Sequence, residues 1–426
     1  MKLLWITNIL FPEANSALLG NTEELSGSGG WLVSAAENLL RVGGIQLAVA
    51  APSHIVNRLT KIECKDITYY ALPCTNERKY NHEYEEMWRK VVSIETPSIV
   101  HIHGTEFSHG FAFIRANITI PVVLSIQGIS EEIGNHYLDG MSLCDVYRNI
   151  TLFDLFYSGS LLKQKNRYLK HGEKVERPMI KSINHIIGRT TFDKSHVLTL
   201  NPAAQYYSCN EILRSVFYDG SVWDYDSCNK HTIFLSQSAY PIKGLHHLLK
   251  AMPYILQQYP DTKIRIAGSN VFAIKTIKQR LIRSTYVKYL ERLIKQYGLE
   301  GHVQFTGPLN AEQMKNEYLN CNVFICPSSI ENSPNSLAEA QILGVPCIAS
   351  YVGGIPDMIP NKNHGILYRL SDSIMLAYTV CEVFSSKWIS TEQVHAARNR
   401  HSVKTIVQDI LAIYDSLINE HARSDK

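Results

Sequence analysis

The chain has 426 residues, 45% of them hydrophobic and 19% charged, with a formal net charge of +3. That length exceeds what a single hydrophobic core organises, so two domains of about 200 residues each are expected. The composition excludes a disordered chain and a disulfide scaffold, and the small charge, with no basic run carrying interleaved aromatics, excludes a nucleic-acid binder.

The opening MKLLWITNILFPEANS places one lysine before an apolar run that stops at Phe11 and Pro12 without a small-residue cleavage pattern, so it reads as a buried first strand and not a leader. No stretch reaches the roughly 18 apolar residues that cross a bilayer. Nine cysteines are scattered without metal or redox spacing, which fits core fillers in a reducing compartment, and the expected address is cytoplasmic. The N-x-T sequons at Asn117 and Asn149 then count as chance matches.

Short β-rich runs alternate with helical stretches, the pattern of parallel sheets covered by helices. Strands are expected at 2–10, 45–51, 99–103, 122–127 and 185–188. The series restarts at 232–236, 263–267, 303–306, 323–326, 346–350 and 365–368. The fold class is therefore α/β, with two Rossmann-like, doubly wound parallel-sheet domains. Polar, turn-rich DGSVWDYDSCNK at 219–230 reads as their linker, which gives domains of 1–218 and 231–400. A final helix in 401–426 follows the second sheet and has the option of returning to the first domain. Ligands of open parallel sheets sit beyond the carboxyl ends of the strands, so an interdomain cleft is expected to gather the site.

In chain order, the first candidate is the loop NTEELSGSGGWL, where Gly27, Gly29 and Gly30 permit close backbone approach to a ligand before a helix. It is too long, and too unlike G-x-G-x-x-G, for a dinucleotide site. His103 and Glu106 follow strand IVHIH; His103 is a catalytic candidate and Glu106 a substrate contact, or both are satisfied structural groups. Gln127 ends VVLSIQ and can donate or accept a hydrogen bond. From Lys163 to Arg189 eight Lys or Arg face two Glu, with Leu161, Leu162, Tyr168 and Ile180 nearby, a pattern open to a solvated face or to contact with anionic lipid. Arg189 either meets an anionic substrate or pairs with Asp193.

In the second domain, YPIKG places Lys243 at a helix start, where it can offset a diphosphate's charge; Gln237 ends the preceding strand. CPSSIENSPNSLAEAQILG carries the most information. Ser333 reads as an N-cap and Pro334 as the first helical residue. The amides of Asn335, Ser336 and Leu337 then lack carbonyl partners at the positive end of the helix, a place for a phosphate. Glu331 and Glu339, eight apart, flank that site and suit acceptance of hydrogen bonds from sugar and ribose hydroxyls.

The Glu331–Glu339 spacing resembles the E-x7-E motif of family 4 (group 1) retaining glycosyltransferases. YPIKG is similar to that family's Lys-Gly element, and YYSCNEILR and SIQG resemble a bacterial subset of it. The resemblance implies the GT-B fold and transfer of a sugar from a nucleoside diphosphate sugar to a saccharide acceptor, lipid-linked or not, in surface polysaccharide assembly at the inner membrane face. It implies that Glu339 holds the ribose, Glu331 lies near the sugar, Lys243 offsets the diphosphate and the glycine loop abuts the phosphates. Gln127 stands where the family commonly has His, and Gln237 where it usually has Arg, which removes base chemistry from the first and half the cationic clamp from the second. No cofactor is expected and no metal is required, on the reading that the sequence has no Asp-x-Asp pair to hold one beside the diphosphate. The alternatives are a GT-B-fold sugar-nucleotide 2-epimerase and a non-catalytic sugar-nucleotide-binding subunit.

Overall fold

The computed structural model describes all residues except 21–28, 152–153, 155–159, 274–282, 390 and 425–426, so Gly27 lies outside the described residues. Two compact units are present: residues 1–130, 171–214 and 401–426 form the first, and residues 131–170 and 215–400 the second. Among the described residues no helix is long and apolar enough to cross a membrane.

The first unit is built on β1 (Lys2–Ile6), β2 (Gln46–Ser53), β3 (Thr60–Glu63), β4 (Ile67–Pro73), β5 (Ile99–His103), β6 (Val122–Ser125), β7 (His185–Gly188) and β8 (Gln205–Ser208). Their order in the sheet is β3-β4-β2-β1-β5-β6-β7-β8, all parallel except the β3–β4 pair. Side chains alternate across a strand, so Leu4 and Ile6 join Val100, Ile102, Leu124 and Ile186 on one face. Each such buried side chain contributes about 1.5–3 kcal/mol. The opposite face presents Trp5 and His101 to the helix Val403–Ser424, where the Tyr414 hydroxyl receives Trp5 Nε1 at 3.1 Å and lies 2.6 Å from His101 Nδ1. These bonds satisfy three buried polar groups at once and fix the last helix in this unit.

The second unit carries β9 (Thr232–Leu235), β10 (Lys263–Ile266), β11 (Val303–Phe305), β12 (Val323–Cys326), β13 (Cys347–Ser350) and β14 (Ile366–Tyr368), in the order β11-β10-β9-β12-β13-β14. Every pairing is parallel, and Ile233, Phe234, Leu235, Phe324 and Ile348 are buried.

Three features depart from the sequence reading. Residues 131–170, assigned there to the first domain, pack with the second unit. His246 Nε2 meets the Asp139 carbonyl at 2.8 Å, and Arg292 pairs with Asp145. Among its described residues this stretch holds no strand that would have tied it to the first sheet. Residues 219–230 are no free linker. Trp223 donates its amide to the Leu343 carbonyl at 2.7 Å and its indole N–H to the Cys321 carbonyl at 2.8 Å, which binds the segment to the second unit and moves the junction to Arg214 and Ser215. Strands β3, β4 and β8 were not expected. β3 and β8 are edge strands with half-buried or exposed residues, and polar, aromatic TYY interrupts β4, so none shows a plain apolar run.

Candidate functional site

In the second sheet the strand order reverses between β9 and β12, and ligands of open parallel sheets lie beyond the carboxyl ends at such a switch point. Lys243 belongs to the loop after β9 and Glu331 to the loop after β12. The structure brings them together: Lys243 Nζ lies 2.6 Å from Glu331 Oε1, with only 18% and 15% of the side chains exposed. Burial works most strongly against the Lys243 ammonium, yet the charge of Glu331 and its hydrogen bond, with Tyr240, together outweigh it and hold the lysine above its ordinary value. Ser328 Oγ donates to the same carboxylate oxygen at 2.8 Å. Two glycines allow this closeness. A Cβ at Gly244 (φ +73°) would sit 1.8 Å from the Pro327 carbonyl oxygen, and one at Gly353 (φ +50°) would sit 1.9 Å from that of Glu331.

The helix after this loop spans Asn335–Ile342, with Pro334 and not Ser333 as its cap and no side chain capping it. Leu337 donates to the Pro334 carbonyl at 3.0 Å and is fully buried, so its amide, expected to face a phosphate, is consumed by a tight first turn. Asn335 and Ser336 stand half-buried at the helix start, where backbone N–H groups and the helix dipole favour an anion. Glu339 lies one turn on, 5% exposed, and Tyr318 steadies this turn by donating to the Ser336 carbonyl at 3.0 Å and standing 3.4 Å from Glu339 Oε2. Gln237 is exposed on the loop after β9. The chain's one Asp-x-Asp pair, Asp224 and Asp226, lies in the segment 219–230; Asp224 accepts from the Ser227 amide at 3.0 Å, and Asp226 pairs with Lys387 at 3.1 Å.

The first sheet reverses its order between β1 and β5. There Asn8 Nδ2 donates to Glu106 Oε2 at 3.1 Å, and the Gly128 amide donates to Glu106 Oε1 at 3.0 Å. Burial pushes the Glu106 carboxyl up, against these two bonds that favour its charged form. Beside it a cavity of about 40 Å³ is lined by Trp31, His103, Gln127, Arg189, Glu211 and Ile410, among others. His103 is 5% exposed, stacked on His101 at 3.8 Å and edge-on to Trp5 at 4.6 Å, and neither ring nitrogen has a partner among the described residues. Burial, then the neighbouring His101, drives its pKa far down, so the ring is neutral and a poor proton acceptor. It suits a hydrogen-bond contact better than the catalytic place first given to it.

Arg189 meets Asp193 only through its backbone amide, which donates to Asp193 Oδ2 at 2.9 Å. Its guanidinium lies 2.7 Å from Glu211 and reaches the Gln127 carbonyl at 2.8 Å, both side chains under a tenth exposed. Asp193 instead forms a capping box with Thr190 at the start of the helix Thr191–Leu200. Gly29 (φ +93°) caps the helix Gly30–Arg41, and a Cβ there would lie 2.1 Å from Ile9; at Gly30 it would lie 3.0 Å from Arg214. The positive φ of Gly29 favours glycine there, and Trp31, which follows Gly30, lines the cavity. In the basic stretch, Leu161 and Ile180 are buried, whereas Leu162 and Tyr168 are half-buried.

Residues 227–400 match the family of glycosyl transferases group 1. An uncharacterized glycosyltransferase of Methanocaldococcus jannaschii is 24% identical over 262 residues, which cover 55% of this chain and 63% of that protein. Over this segment the chain is similar to group 1 glycosyltransferases. Sucrose-phosphate synthase from Thermosynechococcus elongatus superposes with a TM-score of 0.67 at 14% identity, covering 99% of this chain and all of that one. HepE of Anabaena, solved with UDP and glucose, gives 0.64 at 15% identity, covering 98% and 100%. The chain has the GT-B fold of these proteins.

Within this segment the arrangement offers a cation, two backbone amides at a helix start and two carboxylates, a set that suits an anion at one end and hydroxyl groups at the other. Sequence reasoning missed Tyr318, Ser328 and Gly353 here. The glycine pair after β13, in SYVGG, was the available signal for the last. In the first unit it missed Asn8, Trp31 and Glu211, whose contacts come from sequence-distant strands.

Proposed function

We propose that the chain is a retaining glycosyltransferase that moves a hexose-type sugar from a nucleoside diphosphate sugar to a saccharide acceptor, lipid-linked or not, in surface polysaccharide assembly. One observation carries this reading: Lys243 and Glu331, from loops on either side of the switch point, meet at 2.6 Å beside a helix start that carries Asn335, Ser336 and Glu339. Glu339 takes the ribose hydroxyls, the amides of Asn335 and Ser336 face the diphosphate, and donor entry draws Lys243 from Glu331 to a phosphate oxygen. Glu331 is then free to accept from sugar hydroxyls. In the transfer the bond from the anomeric carbon to the diphosphate breaks, and the acceptor hydroxyl bonds to that carbon from the same face. The leaving phosphate oxygen takes the hydroxyl's proton, so no protein base is invoked and no metal is assigned a role. Glu106 and Gln127 are retained as substrate contacts in the first unit.

Calorimetry of the purified chain with uridine, guanosine and adenosine diphosphates identifies the base. Incubating the matching diphosphate sugar with and without oligosaccharide acceptors then tests the transfer. The reading expects acceptor-dependent diphosphate release with retained anomeric configuration. Release of a free epimer without acceptor, or tight binding with no turnover across a broad acceptor panel, overturns it.

A further inference from the structure

The loops after β2 and β4 bring together three residues that the transfer reaction does not use. His54 follows the last residue of β2, and Cys74 follows the last residue of β4. The Cys74 amide donates to the Ser53 carbonyl at 3.0 Å, which locks the two loops side by side. Glu77 lies three residues on, and its carbonyl receives both the amide and the hydroxyl of Ser108 at 2.9 Å, so its backbone is held as well. One donor atom from each of His54, Cys74 and Glu77 lies within 4.8 Å of the other two, and this is the only such grouping among the described residues. Cys74 is 7% exposed and carries a free thiol.

We propose that His54, Cys74 and Glu77 form a three-ligand site for a zinc-class divalent ion, with one coordination position open. The donor set selects the ion. A thiolate disfavours magnesium and calcium, which want oxygen, whereas imidazole, thiolate and carboxylate together suit zinc in tetrahedral geometry. Bonds of about 2.0–2.3 Å place the ligand atoms of a tetrahedral ion roughly 3.4 Å apart. His54 Nε2 and Glu77 Oε1 stand 2.5 Å apart, closer than that, and their side chains are 58% and 34% exposed, so they have room to part by about 1 Å. Without metal the two share a proton, and the ion replaces it. The less mobile partner is the buried Cys74, whose preceding carbonyl, on Pro73, accepts from the Tyr84 hydroxyl at 3.0 Å. An ion here ties the carboxyl-edge loops of β2 and β4 to each other and, through Glu77, to the start of the helix Ser108–Arg115.

The test uses the full chain with zinc alone in equilibrium dialysis, and with cobalt(II) as a spectroscopic substitute. The expected result is one zinc per chain and a thiolate-to-cobalt charge-transfer band in the near ultraviolet. C74S removes that band, and H54A, on an exposed side chain that the fold does not need, weakens zinc binding on the order of 100-fold or more. The proposal is overturned if the wild-type chain shows no stoichiometric zinc, or if the band and affinity persist unchanged in both variants, which would assign the metal to one of the other eight cysteines.

Discussion

Replacing Glu339 by glutamine separates binding from folding. The side chain is 5% exposed, and glutamine keeps its volume and one acceptor oxygen while removing the charge. A hydroxyl bonded to an ionised carboxylate is worth about 1.5–3 kcal/mol, against about 0.5–1.5 for a neutral acceptor. With two ribose hydroxyls the loss is about 2–3 kcal/mol, or ~30- to 140-fold in Kd at 1.4 kcal/mol per tenfold. Stability moves far less. Tyr318 keeps its nearer acceptor, the Ser336 carbonyl at 3.0 Å, and gives up only the 3.4 Å approach to Glu339. Less than about 1 kcal/mol is at stake, within roughly 4 °C of Tm. Calorimetry with the preferred nucleoside diphosphate, beside a thermal melt, reads both quantities. A folded E339Q that binds the nucleotide as tightly as the wild type would refute the assignment of ribose to this carboxylate.

Further expectations follow from the same contacts. K243M strands a half-buried Glu331, so it should cost about 1–2 kcal/mol of stability and at least tenfold in turnover; K243M/E331Q should regain the stability but not the turnover, as a double-mutant cycle with melts and rates checks. R189M leaves Glu211 buried without its cation and should cost about 3–5 kcal/mol, read by urea unfolding; R189M/E211L should recover much of it. G353A forces a Cβ to 1.9 Å from the Glu331 carbonyl oxygen, so its diphosphate affinity should fall while far-ultraviolet circular dichroism holds. Burial keeps His101 neutral down to about pH 3, and His109 and His246 to about pH 4, while the unfolded chain takes up these protons near pH 6.5. The unfolded state therefore binds more protons below pH 6.5, and stability should decline from there toward pH 4. Melts across that range check the slope, which H103F should make shallower, since His103 is also held well below its ordinary value.

The sequence by itself determined the α/β class, the two parallel sheets and the segment from Cys326 to Gly344. Those signals are local: a run of apolar β-formers marks a strand wherever it docks, and Glu331, Pro334 and Glu339 belong to one strand-loop-helix stretch. What the sequence misplaced were boundaries and partners. Proline at the helix start left the cap one residue off, because a cap is set by dihedral angles that its neighbours constrain only in part. Residues 131–170 and Trp223 went to the wrong place because their anchors, His246, Arg292 and the carbonyls of Cys321 and Leu343, are distant in the chain. Only the tertiary structure gave Arg189 to Glu211, left the His103 nitrogens without a partner among the described residues and put ligand atoms of His54, Cys74 and Glu77 within 4.8 Å of one another. Such pairings depend on strand order, and strand order is decided by how helices cover a whole sheet, which no local pattern encodes.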